Sequence, residues 1–183
     1  MRNLILTALA LVAIAACGPS SKELSGAKTA RYHGDKLAIF NAMKEAVAAK
    51  YTIEKTDETT LGLNTTNRWY TPEGLAASER GDMRDVPDRS IGIMFVVKVL
   101  PDGDNWVVQV DPMMQRYFAG RPNPDKLTLA DPSIPGWATG KVDNLLLEIN
   151  TALKQFEVKS PGGQLAPPPA PAPAPAPAAG GGY

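Results

Sequence analysis

The sequence predicts an α+β fold: an antiparallel β-sheet of four or five strands, with an N-terminal and a C-terminal amphipathic helix packed on one face. Two observations carry this expectation. One apolar stripe at helical spacing opens the central region and a second closes it, while the residues between them alternate with a period of two. Strands grouped between helices, rather than interleaved with them, argue for α+β over alternating α/β.

Asp35 stands where it can cap the helix "KLAIFNAMKEAVAAK", in which Leu37, Phe40, Met43 and Val47 recur at three- and four-residue intervals. The period then changes. Tyr51, Ile53 and Lys55 alternate with Thr52, Glu54 and Thr56, and Leu61, Leu63 and Thr65 resume after a turn at 57–60, which predicts two half-covered strands. "SIGIMFVVKV" places Ile91, Ile93, Phe95, Val97 and Val99 on one face, and "WVVQV" does the same for Trp106, Val108 and Val110. Pro101-Asp102-Gly103-Asp104-Asn105 between them is dense turn chemistry, so the pair reads as a β-hairpin. Pro112 lacks an N–H and is expected to interrupt the second strand, with residues 113–118 continuing it. Val142, Leu145, Leu146, Ile149, Leu153 and Phe156 form the closing helical stripe. Thr71 and Pro72 are placed to start a short helical turn.

This single domain spans 35–159, within the usual size for one hydrophobic core. Residues 160–183, "SPGGQLAPPPAPAPAPAPAAGGGY", have nothing to bury and favour polyproline II, so they read as a disordered proline- and alanine-rich tail or spacer. Residues 17–34 are small and polar without sustained periodicity and read as a flexible tether. Residues 1–16 comprise a start with one positive charge, an apolar run over 4–16 broken only by Thr7, and small residues at its end. That is the pattern of a secretory signal peptide, shorter than the roughly 18–20 residues a membrane-spanning helix needs.

The chain's one cysteine, Cys17, stands where the apolar run stops. Ile14-Ala15-Ala16-Cys17 resembles the lipobox of bacterial lipoproteins. The resemblance implies cleavage before Cys17, a diacylglycerol on its sulfur and a further acyl chain, such as palmitate, on the new amino terminus. It implies a membrane partner reached through the lipid anchor. Gly18, rather than an aspartate, implies sorting to the outer membrane, facing the periplasm. Several acyl chains at about 0.8 kcal/mol per buried methylene hold stably where one holds marginally. The globular region, through its helix, "AKYTIEKTDETTLGLNTT", hairpin and final helix, is similar in pattern to small periplasmic helix-grip lipoproteins of outer-membrane assembly machineries.

The chain has 19 basic and 19 acidic residues, and only Arg2 leaves with the leader. Near neutrality gives no field for nucleic acid. One cysteine and one histidine, His33, supply no metal cage, and no cofactor motif is present. Asp102-Gly103-Asp104-Asn105 lacks the spacing of a calcium loop. "ERGDMRDVPDRS" interleaves Glu79, Asp82, Asp85 and Asp88 with Arg80, Arg84 and Arg89, which would keep each carboxylate ionised at the surface, so no catalytic residue is assigned. Two long connections, 69–90 and 119–140, carry the candidate binding residues Trp69, Tyr70, Tyr117, Phe118 and Trp137, since exposed aromatics favour contact surfaces. The expected function is therefore that of a non-enzymatic envelope lipoprotein, a scaffold or accessory subunit in envelope assembly or maintenance with an envelope protein as partner. The alternative is a module binding a small hydrophobic or glycan ligand on the concave sheet face.

Overall fold

A computed structural model describes residues 20–79 and 86–158. Residues 1–19, which hold the expected signal segment and Cys17, residues 80–85, and residues 159–183, which hold the expected proline- and alanine-rich tail, lie outside the described residues. Among the described residues, three α-helices, α1 (Ser21–Thr29), α2 (Lys36–Ala48) and α3 (Gly136–Ala152), accompany seven strands. The strands are β1 (Ile53–Asp57), β2 (Gly62–Thr65), β3 (Arg68–Tyr70), β4 (Ala76–Glu79), β5 (Ile91–Asp102), β6 (Asn105–Arg116) and β7 (Asp125–Leu127). The fold is α+β with a curled antiparallel sheet.

The β5–β6 hairpin is the spine of the sheet, twelve residues on each side in continuous register from Ile91↔Arg116 to Asp102↔Asn105. Its loop is only Gly103-Asp104, with Gly103 at φ 62°, as a primed hairpin turn requires. One edge of β5 is shared in series. β2 takes Val96–Lys98, and β3 takes Ile91–Ile93. Between them the buried Thr65 hydroxyl accepts the Phe95 N–H at 2.9 Å, so the ladder changes partner without orphaning a donor.

Pro112 does not interrupt β6, contrary to expectation, but pairs with Phe95. Tyr117 N–H donates to the Ser90 carbonyl, and Trp106 exchanges bonds with Tyr32 on the outer edge. Strand alternation therefore turns the backbone of even-numbered β6 residues outward. Pro112 is one of these, so its missing N–H costs no bond to β5. β7 covers the same outer edge at Met114–Arg116.

The core gathers Ile39, Phe40, Met43 and Val47 of α2, Val142, Leu145 and Ile149 of α3, and the odd-numbered β5 residues Ile91 to Val99 into one buried cluster. Of the expected closing stripe, Val142, Leu145, Leu146, Ile149 and Leu153 are buried, but α3 ends at Ala152 and Phe156 is half-buried in a 3-10 turn, Lys154–Phe156, beyond it. In α2, Ile39 replaces Leu37, which is 43% exposed. At about 100° per residue, Ile39, Phe40, Met43 and Val47 span a single arc and Leu37 falls beyond it.

The largest departure lies at the amino end. Residues 20–34, expected as tether, begin with a capped helix and end in the sheet. Ser20 Oγ accepts from the Glu23 N–H at 3.2 Å while the Glu23 carboxylate accepts from Ser20 N–H at 2.8 Å, a reciprocal capping box. Lys28 pairs with Asp143 of α3 at 3.0 Å, and Ala27 is buried. Tyr32 then bridges both Trp106 and Glu157 as a one-residue strand, 1% exposed, its hydroxyl accepting from Asn150 Nδ2 at 3.0 Å. The described residues thus begin with the cap of a helix, at Ser20, three positions after Cys17 in sequence.

Candidate functional site

The expected long connections are subdivided by β3, β4, β7 and the first turn of α3, and this separates the five aromatic candidates. Trp69 and Tyr70 are neighbours on β3 and so point to opposite faces. Both are buried, at 1% and 2% exposure, and neither is the exposed contact residue expected. Trp69 lies over Gly92, where a β-carbon would come within 3.0 Å of its ring, and Tyr117 meets it edge-on at 6.2 Å. Tyr70 packs against Trp137 at 5.5 Å. Trp137 belongs to the first turn of α3, and its Nε1–H donates to the Pro72 carbonyl at 2.9 Å. That carbonyl belongs to a tight turn over Thr71–Leu75, not the short helix expected there, in which the Thr71 N–H donates to the Leu75 carbonyl. Gly74 sits there at φ 89°, with no room for a β-carbon beneath the indole. Phe118 stands apart, with the Arg121 guanidinium 4.7 Å over its ring. The aromatics mainly fasten loops to the sheet.

Beside Tyr70 they frame something the sequence reading did not single out. A hollow of about 260 Å³ is lined by Lys50, Tyr51, Arg68, Tyr70, Ala76, Lys141, Asn144 and Glu148. Lys50 and Tyr51 leave the end of α2, Arg68 and Tyr70 come from β3, and Lys141 and Glu148 lie two turns apart on α3. The Lys141 ammonium sits 4.9 Å from the centre of the Tyr70 ring, and the Arg68 guanidinium 5.2 Å from that of Tyr51. Lys50 pairs with Glu148 at 3.2 Å. Among the described residues, Lys141 has no carboxylate within ion-pair distance, although its side chain is partly buried. Burial, then the adjacent Tyr70 phenol, pushes the Tyr51 phenol well above the ordinary tyrosine range, with Arg68 opposing and Glu148 adding. Tyr51 therefore stays a neutral hydroxyl. Lys50, Arg68, Lys141 and Glu148 all contribute to the lining of this hollow.

A second hollow, about 350 Å³, lies between Pro72, Arg89, Ile91, Arg116, Phe118 and Ser133. Arg116 donates to Ser133 Oγ at 2.9 Å and to its carbonyl at 2.8 Å. Asp131 accepts from the same serine's hydroxyl and N–H, which hold its carboxyl below the usual range. Asp88 accepts the Ala119 N–H at 2.7 Å. These groups are committed to lacing the loops together, so the Tyr70 hollow is the better site. No protein-family model matches the chain, and no curated protein matches it in sequence.

Lys50, Arg68, Lys141 and Glu148 come from three separate stretches of sequence, so no local pattern announces them. The one legible signal is Lys141 four residues after Trp137, the spacing that stacks two side chains on one helix face.

Proposed function

We propose that the protein is a lipid-anchored bacterial envelope protein without enzymatic activity, acting as a scaffold or accessory subunit at the outer membrane, with its folded domain in the periplasm. The carrying observation is the apolar run that ends in Ile14-Ala15-Ala16-Cys17, followed after three positions by a capped helix. In this reading α2 and α3 lie together on one face of the curled sheet. Their buried residues share a cluster with the odd face of β5, where Ile91, Ile93, Phe95, Val97 and Val99 are at most 2% exposed. Side chains fill that concave face, which favours recognition on the outside of the molecule over a ligand chamber within it. Leu75, 68% exposed beside the Trp137 turn, and Phe118 mark the outer surface offered to a partner.

Mass spectrometry of the protein isolated from its native envelope tests the anchor. The expected product begins at Cys17 and carries acyl chains; a free thiol or a retained leader overturns it. Photo-crosslinking from Leu75 and Phe118 in cells tests the accessory role. Capture of a discrete envelope protein is expected, and lipidated protein that yields no adduct overturns it.

A further inference from the structure

We infer that the groove between α1 and α3 binds a neutral oligosaccharide bearing acetamido groups, with an acetamide N–H donating to the side-chain carbonyl of Asn150. The inference does not depend on the lipid anchor. The Lys28–Asp143 ion pair, at 3.0 Å, joins the two helices at one end. Beyond it they border an open groove of about 840 Å³, within the roughly 300–1,000 Å³ usual for ligand sites. Glu23, Gly26 and Ala27 line it from α1, and Leu147, Asn150 and Thr151 from α3, each set at the spacing that shares one helix face. Asn150 is only 5% exposed, in a helix where asparagine is a poor former. Its Nδ2 donates to the Tyr32 hydroxyl at 3.0 Å, while its Oδ1 has no partner among the described residues and opens on the groove. A side chain this deeply buried with half its amide unused calls for a donor from outside the chain.

The rest of the lining sets the class of that donor. Lys22 and Lys154 stand against Glu23 and Glu157, a balance that favours a neutral ligand over an ion. Ser20 donates twice to Glu23 Oε2, and Lys154 donates to Glu157 Oε2 at 2.7 Å. The second oxygen of each carboxylate has no partner among the described residues. Together with Asn150 these acceptors ask for several donors at once, which the hydroxyls of a sugar supply. Leu147, one turn before Asn150, and Ala27 of α1 add apolar surface. A methyl beside an N–H fits that combination, and an acetamido group presents the two together. A β-carbon at Gly26 would meet nothing within 4 Å, so α1 leaves the space open there.

The test is calorimetric titration of the full chain in detergent with tri-N-acetylchitotriose, with maltotriose as a sugar lacking the acetamido groups, and with tetra-alanine as a neutral peptide. Saturable binding of tri-N-acetylchitotriose is expected, with maltotriose about tenfold weaker or more and tetra-alanine not bound. Asn150→Leu removes the acceptor and should weaken the binding by about tenfold. Gly26→Leu provides a second reading should Asn150→Leu fail to fold. It fills the groove from α1 with a better helix former, so binding should be lost while the melting temperature holds or rises. Failure of tri-N-acetylchitotriose to bind, equal or tighter binding of maltotriose or tetra-alanine, or unchanged affinity in folded Asn150→Leu or Gly26→Leu protein overturns the proposal.

Discussion

Ser90 Oγ and Trp69 Nε1 are buried polar atoms with no hydrogen-bond partner among the described residues. Ser90 and Gly92 alternate onto the same side of β5, the side Trp69 covers, so the two orphans belong to one small apolar packing unit with Tyr117. An unsatisfied buried hydroxyl costs roughly 1–3 kcal/mol. Ser90→Ala should therefore raise stability, by up to about 1 kcal/mol after the small loss of packing, seen as a higher denaturant midpoint with an unchanged slope. Two tyrosines fix the alkaline limit. Burial pushes the phenols of Tyr32 and Tyr51 above their ordinary value, with the Asn150 bond partly opposing this at Tyr32. A group whose pKa is raised by folding stabilises the fold fully below its unfolded value and loses that contribution as the pH climbs through the folded one. Stability should be flat up to about pH 10 and then fall. A thermal-melt series from pH 8 to 12 checks this, and Tyr32→Phe should soften the decline.

At the scale of elements, α1 depends on its cap. Ser20→Ala removes the side chain that receives the Glu23 N–H and should cost about 1 kcal/mol, appearing as faster hydrogen exchange across Ser21–Thr29 while the β5 amides stay protected. The Ser20 N–H and hydroxyl, both donating to the Glu23 carboxylate at 2.8 Å, hold that carboxyl below its ordinary value. A depressed carboxylate stabilises above its unfolded pKa and ceases to as pH falls through the folded one, so α1 exchange should accelerate selectively on acidification below the usual carboxylate range. Pro112 makes a different prediction. Val108, Val110 and Pro112 turn their backbone outward on the stretch of β6 between Tyr32 and β7, and proline withholds a donor from that edge. Pro112→Val should leave the melting temperature little changed and increase self-association, measured by sedimentation. These elements also mark how far sequence could be read. α2, α3 and the hairpin were legible because each buries a long, regular stripe. α1 was not, because "SKELSGAKT" buries only Ala27; its sole signature was Ser20 with Glu23 three residues on. β3, β4 and β7 are three or four residues long, too short for periodicity to register. The burial of Trp69 follows from Gly92, a strand partner more than twenty residues away, and the Tyr70 hollow from helix–sheet packing that no local pattern encodes.

At the scale of the whole molecule, residues 31–33 and 156–158 meet beside the outer edge of β6. Tyr32 is hydrogen-bonded to Trp106, His33 N–H donates to the Phe156 carbonyl, and Val158 N–H donates to the Arg31 carbonyl. The amino-terminal segment is thus an integral layer of the fold. Its helix begins at Ser21, with Ser20 as cap.

With Cys17 acylated as proposed, only about 11 Å of extended backbone separates the acyl chains from that cap. Such a short leash keeps the globule parked against the lipid headgroups, with few orientations open to it, and any cognate it grips must come down to the bilayer surface. Lengthening the leash with ten glycine–serine residues before Ser20 should leave folding and acylation intact yet abolish the Leu75 photo-adduct, a result obtained by comparing adduct yields in cells expressing either length.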